Sequence, residues 1–393
     1  MRYEKVKTAV VGCGMISNIY IRNLKELFAI TDLVAVCDLH PEAAKAKAET
    51  YGVPRTMSID ECAADPEIEL VVNLTPPGAH YGVIKQMLEA GKHVYTEKMF
   101  TTDIEKAREL VALADEKGLY LGVAPDTVLG AGVQTAKKLI DSGFIGGVTS
   151  VSAHINRNQS LNSETFRFLR GDGGALPYDV GIYYVGALLT LLGPVKAIRA
   201  FGVPAPLHEA QLLYHGDAEP WRIPGNNILT ASLEFASGAV GSVLFDGNTI
   251  GATQHEITIF GTEGILKVGD PNEFGSPVTL IRPESGEAVI PFTHGYDGKN
   301  YLGKESPFDG YGNRGIGVAE MAYAIRKGRK NNRCSKEYGL HCQEVLYGMD
   351  EAARTGETYK PQSRFVMEGL KSGCYSSQFG GGMRGDAELS LVD

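Results

Sequence analysis

The chain has 393 residues, and at roughly 150 residues per domain this length predicts two or three domains. Its 43% hydrophobic and 22% charged residues are typical of a folded globular protein and exclude a coiled coil, a collagen-like fibre and a disordered chain. Asp and Glu outnumber Lys and Arg by 47 to 38, and this net charge of −9 disfavours nucleic acid and anionic membranes as partners.

The six cysteines form no C-x-x-C pair and have no His at metal-binding spacing. This pattern indicates neither a disulfide framework nor a metal site. No export signal is visible at the N-terminus, and the apolar stretch 180–195 is too short to span a bilayer, so it predicts a buried helix instead. We therefore expect a cytoplasmic location.

The first 123 residues alternate short apolar runs with helical patterns, which is typical of βαβ units around a parallel sheet. The apolar runs lie at 6–11, 33–37, 70–74, 93–95 and 119–123. Ser58-x-x-Glu61 and Thr102-x-x-Glu105 match the capping box that starts a helix. The pattern predicts an α/β Rossmann domain with a doubly wound parallel sheet over residues 1–125.

After residue 123 the pattern changes and predicts an α+β domain with a large, mostly antiparallel sheet over 126–362. The strand-like runs lie at 147–156, 195–202, 227–236, 239–247, 253–261, 263–268 and 276–282. Ser237 and Gly238 form a connection of hairpin length. Helical patterns lie at 133–142, 318–327 and 337–355, and we expect the last two to pack back across the domain junction. The Gly- and Ser-rich residues 363–393 read as a tail, either mobile or docked on another subunit.

The segment Gly12-Cys-Gly14-Met-Ile-Ser17 follows the first predicted strand and opens the first helix. This is the context of the dinucleotide fingerprint, in which Gly12 permits a tight turn and Gly14 lets the backbone approach a pyrophosphate. Asp38 ends the second strand, where a carboxylate can accept hydrogen bonds from ribose hydroxyls, and Leu39 rather than Arg follows it. The pattern favours NAD over NADP, and a glycine turn with a helix-capping Asp is the alternative.

Polar residues also follow the third and fourth strands, at Thr75-Pro76-Pro77-Gly-Ala-His80 and Thr96-Glu97-Lys98-Met99. Carboxyl ends of parallel strands face the ligand crevice, so Lys98 is either catalytic or an ordinary surface lysine. Asp179 and Tyr183 lie four residues apart on one helix face, with Gly181 between them leaving room for a ligand to approach. A capping Asp and a core Tyr are the alternative for this pair.

Together these features resemble the glucose-fructose oxidoreductase and inositol dehydrogenase family (Gfo/Idh/MocA) up to about residue 360. The shared marks are the G-x-G-x-x-S turn, the Thr75 to His80 stretch, Glu97-Lys98, Gly173-Gly174 and Asp179-x-Gly181-x-Tyr183. The resemblance implies that Lys98, Asp179 and Tyr183 form the catalytic group. It also implies that the cofactor is bound by Gly12, Gly14, Met15, Ile16, Asp38, Thr75, Pro76, His80, Glu97 and Lys98.

Two positions depart from the family's usual pattern. Met99 stands where the family has a proline, which removes a fixed backbone angle beside Lys98. Many members have a histidine at the position of Tyr183. A phenol ordinarily ionises near pH 10, so a tyrosine acts as a base at neutral pH only with help from a neighbouring cation.

A second polar cluster borders the predicted crevice. Asp126 and Thr127 follow the last Rossmann strand, and Asn156, Arg157 and Asn158 end the first strand of the second domain. Such a cluster suits a polyhydroxylated ligand, with ordinary loop polarity as the alternative. We single out Asp126, Asn156 and Arg157 as candidate substrate contacts.

The resemblance implies an NAD-dependent oxidoreductase that moves hydride between nicotinamide and a secondary alcohol of a sugar, glycoside or cyclic polyol. One alternative is a redox-neutral glycosidase that oxidises, eliminates, hydrates and reduces with bound NAD. Another is a non-catalytic sensor of a nucleotide or sugar. Because broad open sheets commonly associate through their outer face, we also expect a homodimer or homotetramer.

Overall fold

Two sheets organise the computed structural model, which describes residues 3–207, 221–298 and 314–370. The first is a parallel sheet with strand order β3-β2-β1-β4-β5-β6. Its strands are β1 (Val6–Val11), β2 (Thr31–Cys37), β3 (Arg55–Met57), β4 (Leu70–Asn73), β5 (His93–Thr96) and β6 (Leu121–Val123). Its helices are α1 (Ser17–Arg22), α2 (Pro41–Tyr51), α3 (Ile59–Ala64), α4 (Pro77–Glu89) and α5 (Ile104–Glu116). The strand order reverses between β1 and β4, so a ligand crevice is expected outside their carboxyl ends.

The second sheet has eight strands in the order β14-β13-β12-β11-β7-β10-β9-β8. These are β7 (Val148–Asn156), β8 (Val195–Pro204), β9 (Asn226–Phe235), β10 (Val240–Asp246), β11 (His255–Gly261), β12 (Ile265–Val268), β13 (Val278–Arg282) and β14 (Gly286–Ile290). Only β7 and β10 pair in parallel, and the remaining pairs are antiparallel. This confirms the predicted fold class of a Rossmann sheet joined to a mostly antiparallel sheet.

The remaining helices are α6 (Ala131–Asp141), α7 (Gln159–Thr165), α8 (Ile182–Leu192), α9 (Ile316–Lys327) and α10 (Lys336–Thr355). Of these, α6 and α10 pack on the second sheet, α8 packs against α6 and α10, and α9 contacts β5 and β6 of the first sheet. Every residue of α8 is buried, which confirms the buried helix predicted from the apolar stretch. Inward residues alternate along β7, where Val151, Ala153 and Ile155 join the same core. Short helical turns at Asp126–Leu129, Arg167–Arg170 and Pro177–Gly181 carry the chain between these elements.

The sequence located most elements but not all of their ends. The hairpin at Ser237 and Gly238 is confirmed: Gly238 has φ +92°, and the amide of Phe235 donates to Ala239. Ser58 forms the predicted capping box with Glu61.

The second predicted capping box is wrong, because α5 starts one residue later than expected. The side chain of Asp103 accepts from the amides of Glu105 and Lys106 in the role assigned to Thr102. The sequence interpretation also missed the short strands β3 and β14. The residues of β14 are almost all exposed, so their pattern carries little signal of burial.

The last helix ties the two sheets together, as expected. Glu344 on α10 is fully buried, and Arg108 on α5 donates to it over 2.8 Å. It also accepts from Tyr359 (3.0 Å), from the amide of Gln362 (3.1 Å) and from the amide of Ser363 (2.8 Å). Burial alone would raise the pKa of Glu344, but these donors stabilise the carboxylate and lower the pKa to about 2.

Replacing Glu344 with Gln should therefore lower the free energy of unfolding at pH 7 by about 3 kcal/mol, because buried donors lose their charged partner. A carboxylate whose pKa is lower in the folded than in the unfolded state stabilises the folded protein at pH values above its unfolded-state pKa. The difference between wild type and variant should thus shrink as the pH falls from about 4.5 towards 2. Urea denaturation at several pH values measures this, with exposed Glu116→Gln as the matched control. A pH-independent difference would contradict the assigned charge.

Within the described ranges, no helix is long and apolar enough to cross a membrane. In the same part of the chain, no cluster of three or more His, Cys, Asp or Glu side chains could hold a metal ion. Residues 371–393 of the predicted tail fall outside the described residues. The domain boundaries at 125 and 362 and the cytoplasmic location stay predictions.

Candidate active site

The loop after β1 has the geometry that a dinucleotide pyrophosphate needs. Gly12 has φ +101°, and a Cβ there would come within 2.6 Å of the Leu74 backbone. Gly14 is different, because a Cβ there would meet nothing within 4 Å. The open space lies beside the start of α1, where backbone amides favour an anion. Ser17 donates to the Gly14 carbonyl over 2.6 Å and fixes the loop, whose Met15 side chain is 56% exposed.

Asp38 lies beside this loop at the end of β2. Its Oδ2 accepts from the amide of Cys13 over 2.8 Å, and its Oδ1 accepts from the amide of His40 over 2.9 Å. The carboxylate is therefore held next to the glycine turn by two backbone donors. Leu39 is 82% exposed and offers no positive charge to a 2′-phosphate. These observations fit a dinucleotide with an unmodified ribose.

Hydrogen bonds to neighbouring residues fix the loop after β4. Thr75 donates its hydroxyl to Asn73 Oδ1 over 2.7 Å, and Pro76 precedes the first residue of α4. His80 is 1% exposed, and its ring nitrogens lie 2.5 Å from the Met99 carbonyl and 2.7 Å from the Thr75 carbonyl. The imidazole thus bridges the loops that follow β4 and β5. The direct contact of His80 with the cofactor stays a prediction.

Lys98, at the end of β5, points across the crevice to the second domain. Its Nζ lies 2.7 Å from Asp179 Oδ1 and also donates to the Asp179 carbonyl. Burial would lower the pKa of Lys98, but the carboxylate of Asp179 and the nearby Tyr183 raise it above its usual value. Lys98 is therefore an ammonium at neutral pH. The neighbouring Met99, joined to it by a cis peptide bond, is buried.

Asp179 has three partners around its carboxylate. Besides Lys98, Arg157 forms an ion pair with Oδ2, and Gln159 donates to the same oxygen over 3.1 Å. Burial would raise the pKa of Asp179, yet Lys98 and Arg157 lower it below its usual value. Gln159 also donates to the Gly174 carbonyl over 2.8 Å. The predicted Gly-Gly stretch thus supports the site through its backbone.

Tyr183 completes the cluster on the first turn of α8 and is 6% exposed. Lys98 Nζ lies 5.2 Å from the centre of its ring. Gly181 does not leave room for a ligand as predicted, because a Cβ there would meet the ring of Phe245 at 2.9 Å. The small residue instead leaves room for the Phe245 ring, which packs against Tyr184 in the core.

Two of the three candidate substrate contacts lie elsewhere. Asp126 is fully buried, and its Oδ2 accepts from the amides of Gly315 (2.8 Å) and Gly317 (3.1 Å) at the start of α9. The Asn156 side chain bonds to the backbone and hydroxyl of Thr253 in a loop before β11. Both placements differ from the prediction, because these polar groups hold the fold. Of the three, Arg157 joins the cluster of Lys98, Asp179 and Tyr183 through its ion pair with Asp179.

Sequence reasoning missed three residues that contact the predicted cofactor-binding or catalytic residues. Tyr20 donates to Glu97 Oε1 over 2.8 Å, and its position in the apolar stripe of α1 concealed that role. Gln159 lies just after the polar group 156–158 and could have been included with it. Arg314 lies 5.8 Å from the Tyr183 ring, and no nearby motif indicates it.

The parallel sheet, the open glycine loop and the ribose-side carboxylate define a protein of the dinucleotide-binding Rossmann class. Residues 6–124 match the GFO_IDH_MocA family model, described as an oxidoreductase family with an NAD-binding Rossmann fold. Residues 133–267 match the GFO/IDH/MocA C-terminal domain. The chain therefore belongs to the GFO/IDH/MocA oxidoreductase family. This confirms the family resemblance and, with it, an NAD-binding domain.

Relatives and solved structures agree with this assignment. An uncharacterized oxidoreductase of Schizosaccharomyces pombe, C26H5.09c, is 34% identical over 50% of this chain and 54% of its own length. The Bacillus subtilis scyllo-inositol 2-dehydrogenase (NADP(+)) IolW is 28% identical over 51% of this chain and 55% of its own. This chain thus spans about half the length of these curated relatives. The structure of levoglucosan dehydrogenase with NADH and L-sorbose superposes with a TM-score of 0.76 at 20% identity, covering 91% of this chain and 99% of the other.

Proposed function

We propose that this protein is an NAD-dependent oxidoreductase that transfers hydride between nicotinamide and a secondary alcohol of a sugar, glycoside or cyclic polyol. The observation that carries the proposal is the contact of Lys98 and Asp179 across the crevice, with Tyr183 beside them. Two relatives support the substrate class by their names, one an inositol dehydrogenase and one a levoglucosan dehydrogenase.

The three side chains have distinct roles in this proposal. Bound NAD supplies the two-electron acceptor for the hydride. Lys98 stabilises negative charge that develops on the carbinol oxygen, because its ammonium is partly buried and fixed by Asp179. Tyr183 takes the hydroxyl proton and later releases it to solvent. Asp179 orients Lys98 and, through Arg157 and Gln159, connects it to the wall of the second domain.

Arg157 also supports a polyhydroxylated substrate. Its guanidinium carries five N–H donors, and the described contacts occupy only part of this set. Hydroxyl groups accept hydrogen bonds from such donors, and an Arg paired with a carboxylate keeps the local charge balanced. A neutral sugar or polyol is therefore the substrate class that we propose.

NAD(H) should bind more tightly than NADP(H), because the carboxylate of Asp38 repels a 2′-phosphate and Leu39 supplies no cation. Calorimetric titration of apoprotein with each nucleotide measures the preference. The double variant Asp38→Ser, Leu39→Arg should reverse it. Equal or tighter NADP(H) binding by the wild type would show that another cation compensates.

The activity itself is tested by incubating the protein with excess NAD and a panel of inositols, aldoses and glycosides. The proposal predicts NADH in amounts equal to an oxidised product of unchanged carbon skeleton. A redox-neutral glycosidase would instead release the aglycone without net NADH and take up solvent deuterium beside the transiently oxidised carbon. That result, or nucleotide binding without turnover of any substrate, would contradict the proposal.

We also propose a homo-oligomer that forms through the outer face of the second sheet. Small residues line the middle of this face, including Ser152, Ser232 and Ser242 on adjacent strands. Phe201 is 80% exposed and Val240 is 54% exposed on the same sheet, and contact with another subunit through this face would cover both side chains. Light scattering on the wild type and on the Val240→Glu variant measures the oligomeric state. A wild-type monomer at micromolar concentration would contradict the proposal.

A further inference from the structure

Tyr20 carries a hydroxyl that packing alone does not require. Its ring is fully buried in the apolar stripe of α1, where a phenylalanine would fill the same space. The hydroxyl instead donates to Glu97 Oε1 over 2.8 Å, on the loop that follows β5. Burial and the charge of Glu97 raise the pKa of Tyr20 well above its usual value, so the phenol stays protonated and donates to the carboxylate.

Glu97 is held at both carboxylate oxygens. Its Oε2 accepts from the amide of Lys98 over 3.2 Å, and its own amide donates to the Asn73 carbonyl at the end of β4 over 2.9 Å. The residue is only half-buried. A carboxylate oxygen has two lone pairs, so one hydrogen bond on each oxygen leaves capacity for further donors. Glu97 can therefore still accept hydrogen bonds from a ligand in the crevice.

The order of the strands places Glu97 and Asp38 on opposite sides of the glycine loop. β2 lies on one side of β1, and β4 and β5 lie on the other. A dinucleotide with its pyrophosphate at the loop after β1 and its adenosine at the end of β2 places its second nucleoside over the ends of β4 and β5. A carboxylate there meets the hydroxyls of the second ribose, as Asp38 is expected to do for the first.

We propose that Tyr20 is a positioning residue, which holds the carboxylate of Glu97 so that it accepts hydrogen bonds from the second ribose of the dinucleotide. This rests on NAD binding, the first step of the proposed function, and not on which alcohol is oxidised. Without the phenol, the Glu97 side chain could turn towards solvent or towards the ammonium of Lys98, which it attracts. A carboxylate fixed before the nucleotide arrives lowers the entropic cost of binding.

Tyr20→Phe tests this by nucleotide binding without catalysis. The variant keeps the ring and removes the hydroxyl, so in calorimetric titration of apoprotein it should bind NAD about tenfold more weakly than the wild type does. ADP-ribose keeps the second ribose without nicotinamide and should be weakened about as much. ADP lacks that ribose and should bind with unchanged affinity. Tyr81→Phe is the matched control, because Tyr81 also donates to a glutamate, Glu109, but in a solvent-exposed pair.

A double-mutant cycle with Glu97→Ala separates positioning from a general loss of structure. Once the carboxylate is absent, the hydroxyl has nothing to hold, so adding Tyr20→Phe should change the NAD affinity less than about twofold. The double variant also leaves no carboxylate without its donor. The comparison with Glu97→Ala therefore decides the question even if Tyr20→Phe alone does not fold.

The proposal would be overturned by unchanged NAD or ADP-ribose binding in Tyr20→Phe, by an equal loss for ADP and NAD, or by a comparable further loss in the Glu97→Ala background. If NAD and ADP-ribose bind more weakly as expected but no alcohol is oxidised by the wild type, the role of Tyr20 holds and the proposed function fails. Alcohol oxidation by a Tyr20→Phe protein with unchanged NAD affinity would mean the reverse.

Discussion

Replacing Lys98 with Ala is expected to lower kcat by about a hundredfold or more while NAD affinity changes little. The Nζ contacts Asp179 and lies near Tyr183, where the carbinol oxygen would be placed. This partly buried ammonium stabilises charge on that oxygen only as the charge develops, so the loss falls on the chemical step. Asp179 in the variant would also lose a partner, and its pKa would move back towards its usual range.

Single-turnover kinetics measures the effect on the chemical step, and nucleotide titration measures the NAD affinity. Lys117→Ala is the matched control, since Lys117 is an exposed lysine at the end of α5. Lys98→Arg should recover little activity, because the larger guanidinium does not fit the same buried position. A near-normal kcat in Lys98→Ala would remove Lys98 from the mechanism and favour the sensor alternative.

Replacing Tyr183 with Phe is expected to cause the second large loss of activity. Oxidation should become faster as the pH rises, because a protonated phenol cannot accept the substrate proton, and this limb belongs to the coupled Lys98 and Tyr183 pair. The variant keeps the buried ring and loses only the hydroxyl, so kcat should fall about a hundredfold and the limb should disappear.

The pH profile of kcat measures this, and Tyr184→Phe is the control. Tyr184 is the next residue on α8, fully buried and packed against Phe245 rather than Lys98. Its loss should leave the limb in place. A Tyr183→Phe protein that retains both rate and limb would mean that the proton passes through Asp179 or water.

The sequence alone predicted those parts of the site whose position follows from the succession of strands and helices along the chain. Gly12, Asp38 and Lys98 each follow a strand of a doubly wound sheet, and that topology alone brings strand ends together. The spacing of Asp179 and Tyr183 similarly predicted one helix face. A π-helical turn connects these two residues, and both still point towards Lys98.

Contacts between segments that are far apart in the sequence could not be predicted in this way. Arg314 reaches Tyr183 only because α9 returns to the junction of the sheets, and its distance along the sequence gives no sign of this. Asp126 and Asn156 appeared to be crevice residues because polar residues near a predicted ligand site look alike in sequence. Whether such a side chain binds backbone or ligand depends on where the opposite loop lies.

Hydride transfer from a carbinol carbon to NAD can be followed with an isotope label on that carbon. The substrate identified by the panel would be prepared with deuterium on that carbon and mixed with NAD and excess protein for one turnover. We expect the deuterium on C4 of the nicotinamide in the NADH formed, with slower transfer than for unlabelled substrate. Reduced cofactor without deuterium, or deuterium lost to solvent with no reduced cofactor, would contradict the proposed reaction.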